Sequence, residues 1–266
     1  MRVIIFGATG MVGQGVIRAC VADRGIEEIL VVGRTALPRR PAKVREVIHG
    51  DFTDFTAVEG ELEGFDACFF CLGVSAAGLS EEEYTRVTYD YTLAAARGVG
   101  ANNPGLTFTY VSGEGTDSTE AGRSMWGRVK GRTENELLAM PFHAYMFRPG
   151  YMRPRGGVTS KTPAYRRLYR LTSWLHPLLR RVAPGHVTTT EHLGRAMIAV
   201  VALQGDGPTV LSSRDINRLG APAEAGALPG RWRTVRVSLG GHRRGSAPDG
   251  AETCRPTDPR GRLVRK

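Results

Sequence analysis

The stretch that most constrains this chain is Val3 to Gly13, V-I-I-F-G-A-T-G-M-V-G. Four apolar residues, Val3 to Phe6, run into glycines spaced by three at Gly7, Gly10 and Gly13. An apolar-periodic segment through Val12, Val16, Ile17, Ala19 and Cys20 follows. This order predicts a buried strand, a tight glycine turn and a helix start. The unpaired N–H groups and the dipole at a helix N-terminus favour an anion, and side chains would keep a dinucleotide pyrophosphate away from that backbone. Gly7, Thr9, Gly10, Met11, Val12 and Gly13 are therefore candidate cofactor contacts. The alternative is a strand-to-helix turn that binds nothing, and the residues downstream weigh against it.

Ile29 to Val32 is predicted as a second strand, ending in Gly33-Arg34-Thr35. Roughly twenty residues past such a turn, an acidic side chain would accept hydrogen bonds from the adenosine ribose of NAD. Arg34 stands there instead, with Arg39 and Arg40 close behind. A guanidinium matches a 2′-phosphate and leaves a 2′-hydroxyl without its acceptor, so NADP(H) is preferred and NAD(H) is the lesser option. Val44 to Ile48 is the third strand, running into Gly50-Asp51-Phe52. There Asp51 is placed to accept from an adenine amino group, with Phe52 packing nearby. The fourth strand, Ala67 to Cys71, leads into Leu72-Gly73-Val74-Ser75, a turn expected to pass beside the ribose and nicotinamide with Leu72 and Gly73 as contacts.

Ser80 followed by Glu81, Glu82 and Glu83 predicts a capped helix reaching about Gly98, with Tyr84, Val87, Tyr91 and Ala95 on one face. Leu106 to Val111 is the fifth strand and presents Ser112 at its end. After a polar loop, Gly113 to Gly122, a helix carries Trp126 and Lys130, four apart and so on one face. Lys130 has two readings, a cofactor contact or an exposed lysine paired with Glu134 at i+4. Ala144 to Phe147 is the sixth strand, ending in Arg148-Pro149-Gly150-Tyr151. Tyr165 to Val182 interleaves apolar residues with Arg166, Arg167, Arg170, Arg180 and Arg181 and is interrupted by Pro177. It reads as part of a substrate-covering lobe over about 151–190, in preference to a helix lying on a membrane surface. Val187 to Glu191 caps a helix from Glu191 to Ala202, and Thr209 to Leu211 is a short last strand.

At 266 residues the chain suffices for one α/β core with a small lobe, assigned to residues 1–219. It has no basic start followed by an apolar run and no stretch near about eighteen apolar residues, so a cytoplasmic protein without a signal peptide or membrane span is expected. Cys68 and Cys71, in A-C-F-F-C-L, would point to opposite faces of a strand, which predicts buried reduced thiols and no metal site. The net charge of +10 raises nucleic acid as a partner. Yet twelve Lys and Arg against five Asp and Glu lie from Arg214 onward, so +7 of that charge belongs to the end of the chain. A basic Gly/Pro/Arg-rich tail, 220–266, accounts for the charge. It is expected to be poorly ordered apart from a short strand at Thr234 to Leu239, and no aromatic interleaving supports base stacking.

Together the G-A-T-G-M-V-G turn, Gly33-Arg34, Gly50-Asp51, Val111-Ser112, the Trp126-to-Lys130 spacing and Phe147-Arg148-Pro149-Gly150 resemble the extended and atypical short-chain dehydrogenase/reductases. More narrowly they resemble the Tat-interacting-protein-like oxidoreductases and bacterial proteins labelled NAD-dependent epimerase/dehydratase. The resemblance covers residues 1 to 217. It implies an α/β fold, a Rossmann-type doubly wound parallel sheet with a small C-terminal substrate lobe. It further implies NADP(H) on the carboxyl edge of the sheet and a small carbonyl or hydroxyl substrate under the lobe. In that family a serine after the fifth strand hydrogen-bonds the substrate oxygen, a tyrosine is the acid/base, and a lysine four residues later lowers the tyrosine pKa and holds the nicotinamide ribose. Ser112 and Lys130 match, but Trp126 holds the tyrosine position. An indole N–H donates a hydrogen bond and exchanges no proton near neutral pH, so Tyr151, on the loop after the sixth strand, is the substitute acid/base. Two functions follow, an oxidoreductase or epimerase/dehydratase-like enzyme, or an NADPH-binding regulatory protein acting through a partner. By resemblance, the helices Glu81 to Gly98 and Gly122 to Leu138 offer homodimer faces.

Overall fold

The computed structural model describes residues 1–153 and 185–222. Among these residues the strands are β1 (Arg2–Phe6), β2 (Glu28–Gly33), β3 (Val44–Ile48), β4 (Ala67–Phe70), β5 (Thr107–Val111), β6 (His143–Arg148), β7 (Tyr151–Arg153), β8 (Val187–Thr189) and β9 (Val210–Ser212). Seven of them form one sheet in the order β3-β2-β1-β4-β5-β6-β9, every pair parallel. Ile4 stands between Leu30 and Cys68, and Phe108 lies beside Ala144. Runs such as V-I-I-F, I-L-V-V and A-C-F-F are apolar on both faces because helices cover both sides of a parallel sheet.

Alternation along β1 divides the core in two. Val3 and Ile5 pack with Val16, Cys20, Leu193 and Met197, whereas Ile4 and Phe6 pack with Phe52, Phe70, Phe108 and Leu93. Cys68 joins the second cluster and Cys71 lies against the first, opposite faces as their spacing requires. Cys20, Cys68 and Cys71 are free thiols, and burial pushes Cys71 up to about 12. The first cluster is covered by α1 (Met11–Ala22), which meets a helix from the far end of the described chain, Thr190–Val201. Small residues set their approach: a Cβ at Gly194 would lie 2.7 Å from that of Ala19.

On the other face Ser80 caps α2 (Glu81–Thr85) through a capping box with Glu83. The sequence predicts an uninterrupted helix there, but a π-helical turn, Arg86–Asp90, separates α2 from α3 (Tyr91–Ala101). The wider turn rotates the helix face. Thr88, Thr92, Leu93, Ala96 and Val99 are buried along with Tyr84 and Ala95, while Val87 and Tyr91 are only half-buried. The layer is completed by α4 (Met125–Leu138), and the chain re-enters the first face through α5 (Thr190–Val201) and α6 (Ser213–Leu219).

Val187 to Thr189, expected as part of a cap, pairs as β8 with β7, and Thr189 alone caps α5 by accepting the His192 N–H at 3.1 Å. Residues 154–184 of the expected lobe, including Tyr165 to Val182, lie outside the described residues, as does the tail from 223, including Thr234 to Leu239. Among the described residues no helix is long and apolar enough to cross a membrane.

Candidate functional site

All seven strands of the main sheet are parallel, so the residues following each strand share one edge. Strand order reverses between β1 and β4, and a crevice opens where chain connections leave that point in opposite directions. The turn after β1 and the turn after β4 meet there. Cys71 N–H donates to Phe6 O at 3.0 Å, and a Cβ on Gly7 would lie 2.5 Å from Leu72 N. Gly7 also has φ +74°, a conformation open to glycine. A Cβ on Gly13 would lie 2.7 Å from Ala8 Cα and collide with Gly7 O. Gly7 and Gly13 are thus required by the protein's own packing.

Gly10 differs. A Cβ there meets only Gly7 O, at 3.2 Å, and a Cβ on Gly73 meets nothing within 4 Å. Gly10 caps α1 without a side-chain hydrogen bond, and the first turn carries no acid. The first N–H groups of a helix have no intrahelical partner, so those of Met11, Val12 and Gly13 keep the donors a phosphate needs. Thr9 presents its carbonyl to Gln14 Nε2 at 3.0 Å, which steadies the turn. The structure therefore brings the turn after β1, which holds Gly7, Thr9, Gly10, Met11, Val12 and Gly13, against the turn after β4, which holds Leu72 and Gly73.

Arg34 follows β2 on the same edge, exposed, with no ion pair among the described residues. Arg39 and Arg40 are exposed as well. Asp51 follows β3, where Thr53 donates to Oδ1 from its hydroxyl at 2.5 Å and its N–H at 2.8 Å, holding the carboxyl below the usual carboxylate range. Phe52, expected beside the adenine, instead faces the core at 4% exposure, with its ring 6.2 Å from Phe6 and 5.6 Å from Phe55. Burial of the ring outweighs any use of it at the edge.

Ser112 follows β5 and is 6% exposed. Its N–H and Oγ both donate to the Phe147 carbonyl, at 2.9 and 3.1 Å. The Lys130 ammonium donates to the Ser112 carbonyl. Desolvation pulls the Lys130 pKa from 10.5 to about 8, against an opposing pull from Glu134. The exposed Lys130–Glu134 pair of the alternative reading is absent, because Glu134 is buried and bonded to Arg148. Trp126 lies one turn before Lys130, half-buried, its indole against Gly115, where a Cβ would stand 3.0 Å from Cη2. The Gly113–Gly122 loop that holds this ring is organised by Asp117, which accepts from Thr119 Oγ1, Thr119 N–H and Gly122 N–H.

Tyr151 opens β7 and is half-buried, so it belongs to a strand where a loop was expected. Its N–H donates to the His186 carbonyl at 2.8 Å. His186 Nδ1 in turn bonds Glu114, whose N–H donates to Pro149 O at 2.9 Å. Glu114 and His186 escaped the sequence reading, since 72 residues separate them and only the end of β5 and the start of β8 bring them together. Arg148 and Glu134 were likewise missed as a pair. The signal available was an arginine directly after a buried strand, where a charge demands a partner.

Residues 3–116 match the NAD dependent epimerase/dehydratase family, a stretch that includes the glycine turn, Arg34 and Ser112 and stops short of Lys130. The chain has a Rossmann-type α/β scaffold, similar to that of short-chain dehydrogenase/reductases. The chain is 29% identical over 153 residues to Protein FMP52-2, mitochondrial, of Scheffersomyces stipitis, covering 56% of this chain and 65% of that one. It is 25% identical over 153 residues to Protein HTATIP2 of Rattus norvegicus, covering 56% and 62%. The matches span 52% to 65% of the lengths of the curated relatives matched first. The fold is similar to that of an oxidoreductase of the short-chain dehydrogenase/reductase family from Burkholderia thailandensis, with TM-score 0.60, 20% identity, and 79% of this chain and 89% of that one covered.

Proposed function

We propose that this chain binds NADP(H) in preference to NAD(H) and acts on a small carbonyl or hydroxyl substrate, as an oxidoreductase or an epimerase/dehydratase-like enzyme. The observation that carries the reading is the room left at Gly10 and Gly73, on either side of the strand-order reversal, beside an uncapped helix N-terminus. A pyrophosphate there takes the N–H groups of the first turn of α1. The guanidinium of Arg34, exposed and without an ion pair among the described residues, is the group for a 2′-phosphate, and the outer oxygen of Asp51 is the group for an adenine amino. Lys130 supplies an ammonium for the ribose hydroxyls. A bound nicotinamide would supply or accept hydride. Ser112 Oγ, already donating to Phe147, keeps lone pairs for a substrate hydroxyl. Tyr151 carries the proton. The three cysteines among the described residues are free thiols, which fits a reducing compartment, and we assign the chain to the cytoplasm.

One observation favours a second reading. Trp126 occupies the place of the family's acid/base, which suits a protein that binds NADPH and reports it to a partner without turnover. The deciding experiment is NADPH oxidation by purified protein against aldehydes, ketones and quinones, with Tyr151→Phe in parallel. Turnover that Tyr151→Phe abolishes supports the enzyme. Tight NADPH binding without turnover supports the regulator, and an absence of binding overturns both.

A further inference from the structure

Glu134 is 1% exposed and sits one helical turn beyond Lys130 on α4. At that spacing a carboxylate and an ammonium are ordinary partners. Glu134 nevertheless gives both its oxygens to Arg148, whose Nε lies 3.1 Å from each and whose Nη2 bonds Oε2. The same Nη2 donates to Ser118 Oγ at 2.5 Å, tying the guanidinium to the loop before α4. Lys130 reaches the other way, to the Ser112 carbonyl. Arg148 ends β6 directly after Phe147, the residue whose carbonyl holds Ser112. Two cations thus stand next to one buried carboxylate, and the one with a planar fork has it.

We infer that Arg148 is a positioning residue: by occupying Glu134 it keeps the Lys130 ammonium turned toward Ser112 and the cofactor crevice. This role rests on the dinucleotide-binding reading of Lys130 given above. Among the described residues, the charged groups facing Lys130 are Glu134 from its own helix and, across that carboxylate, Arg148 from β6. The β5 end contributes the neutral carbonyl of Ser112, and Tyr110 beside Glu134 stays neutral because burial pushes its hydroxyl up. Without the Arg148 guanidinium, Glu134 becomes a buried, unpaired charge. Lys130 is then the cation that answers it, drawn off Ser112 and held protonated to higher pH.

The test follows the titration of Lys130 by NMR of the lysine Cε in the full chain, with NADPH binding measured by fluorescence over the same pH range. Arg148→Met is expected to raise the Lys130 midpoint from about 8 toward 10.5 and to weaken NADPH about tenfold, the worth of one charged hydrogen bond. Adding Glu134→Gln to Arg148→Met brings the midpoint back down and restores affinity, which a purely structural role for Arg148 would not do. Should Arg148→Met fail to fold, Arg148→Lys, which keeps a cation on Glu134 but loses the fork, gives a smaller rise. A midpoint unmoved by the substitution, or a raised one that Glu134→Gln does not lower, overturns the inference. Wild-type protein that binds no NADPH at any pH overturns the dinucleotide reading instead, and the titration still judges what Arg148 does to Lys130.

Discussion

The Lys130 ammonium donates to the carbonyl of Ser112, joining the middle of α4 to the carboxyl end of β5. Its pKa of about 8, against 10.5 for a free lysine, gives folding a pH dependence. Between these values the unfolded chain holds a proton that the folded chain has released. Stability therefore rises as pH climbs through that window and is lost as pH falls through about 8. The full shift corresponds to about 3 to 4 kcal/mol as an upper bound, reduced because Lys130 is partly exposed. Urea denaturation across neutral and alkaline pH is expected to show this rise in the native protein. In Lys130→Met the rise is lost, and NADPH affinity falls by about tenfold or more.

Gly10 and Gly13 separate binding from folding. Gly10→Ala places its Cβ against one oxygen at 3.2 Å, so the protein is expected to melt within a few degrees of the native chain while NADPH affinity drops at least about tenfold. Gly13→Ala drives a Cβ into Gly7 O and Ala8 Cα and is expected to destabilise by about 2 kcal/mol or more. Thermal melts with calorimetric titration distinguish the two. Full NADPH affinity in Gly10→Ala would show that the turn serves the fold alone.

The proposed contact with a 2′-phosphate makes Arg34 the residue to test for nucleotide preference. The native protein is expected to bind NADPH more tightly than NADH, and Arg34→Asp to narrow or reverse the ratio by about tenfold, since a carboxylate repels a 2′-phosphate and accepts from a 2′-hydroxyl. Competition titrations with the two nucleotides measure it. Equal affinities in the native protein would contradict the assignment.

Trp126 lies one turn from Lys130 and packs on Gly115. Trp126→Tyr puts a phenol beside an ammonium that lowers its pKa, restoring an acid/base. Turnover of any carbonyl substrate found by screening is expected to rise, with general acid–base catalysis worth about 10²- to 10⁴-fold. The pH–rate profile of Trp126→Tyr should acquire a new ionisation, and an unchanged rate and profile would show that this helix face does not meet the substrate.

Much of the fold is legible along the chain. The strands of the main sheet lie within a residue or two of where apolar runs place them, since a parallel strand buried on both faces leaves an unbroken apolar signature. Ser80 with Glu83, and Thr189 before α5, announce their helices by capping chemistry. The π turn at Arg86–Asp90 leaves no such mark, because one extra residue per turn changes the face without changing composition. Phe52 was misplaced for a related reason: a ring next to an edge aspartate reads equally as a ligand contact or as core, and only its neighbours Phe6 and Phe55 decide.

The sequence alone determined the glycine turn, its position after a buried strand, and the absence of a tyrosine at Trp126. Those properties are local, set by backbone sterics and by the chemistry of one side chain. Which glycines the protein needs for itself, and which leave room for something else, was decided by the distances from Gly7 and Gly13 to backbone far along the chain or across the turn. The partner of Glu134 was decided the same way. Helical spacing offered Lys130, four residues back; the fold brought Arg148 from strand β6, with a fork that one ammonium cannot match, and so left Lys130 to Ser112.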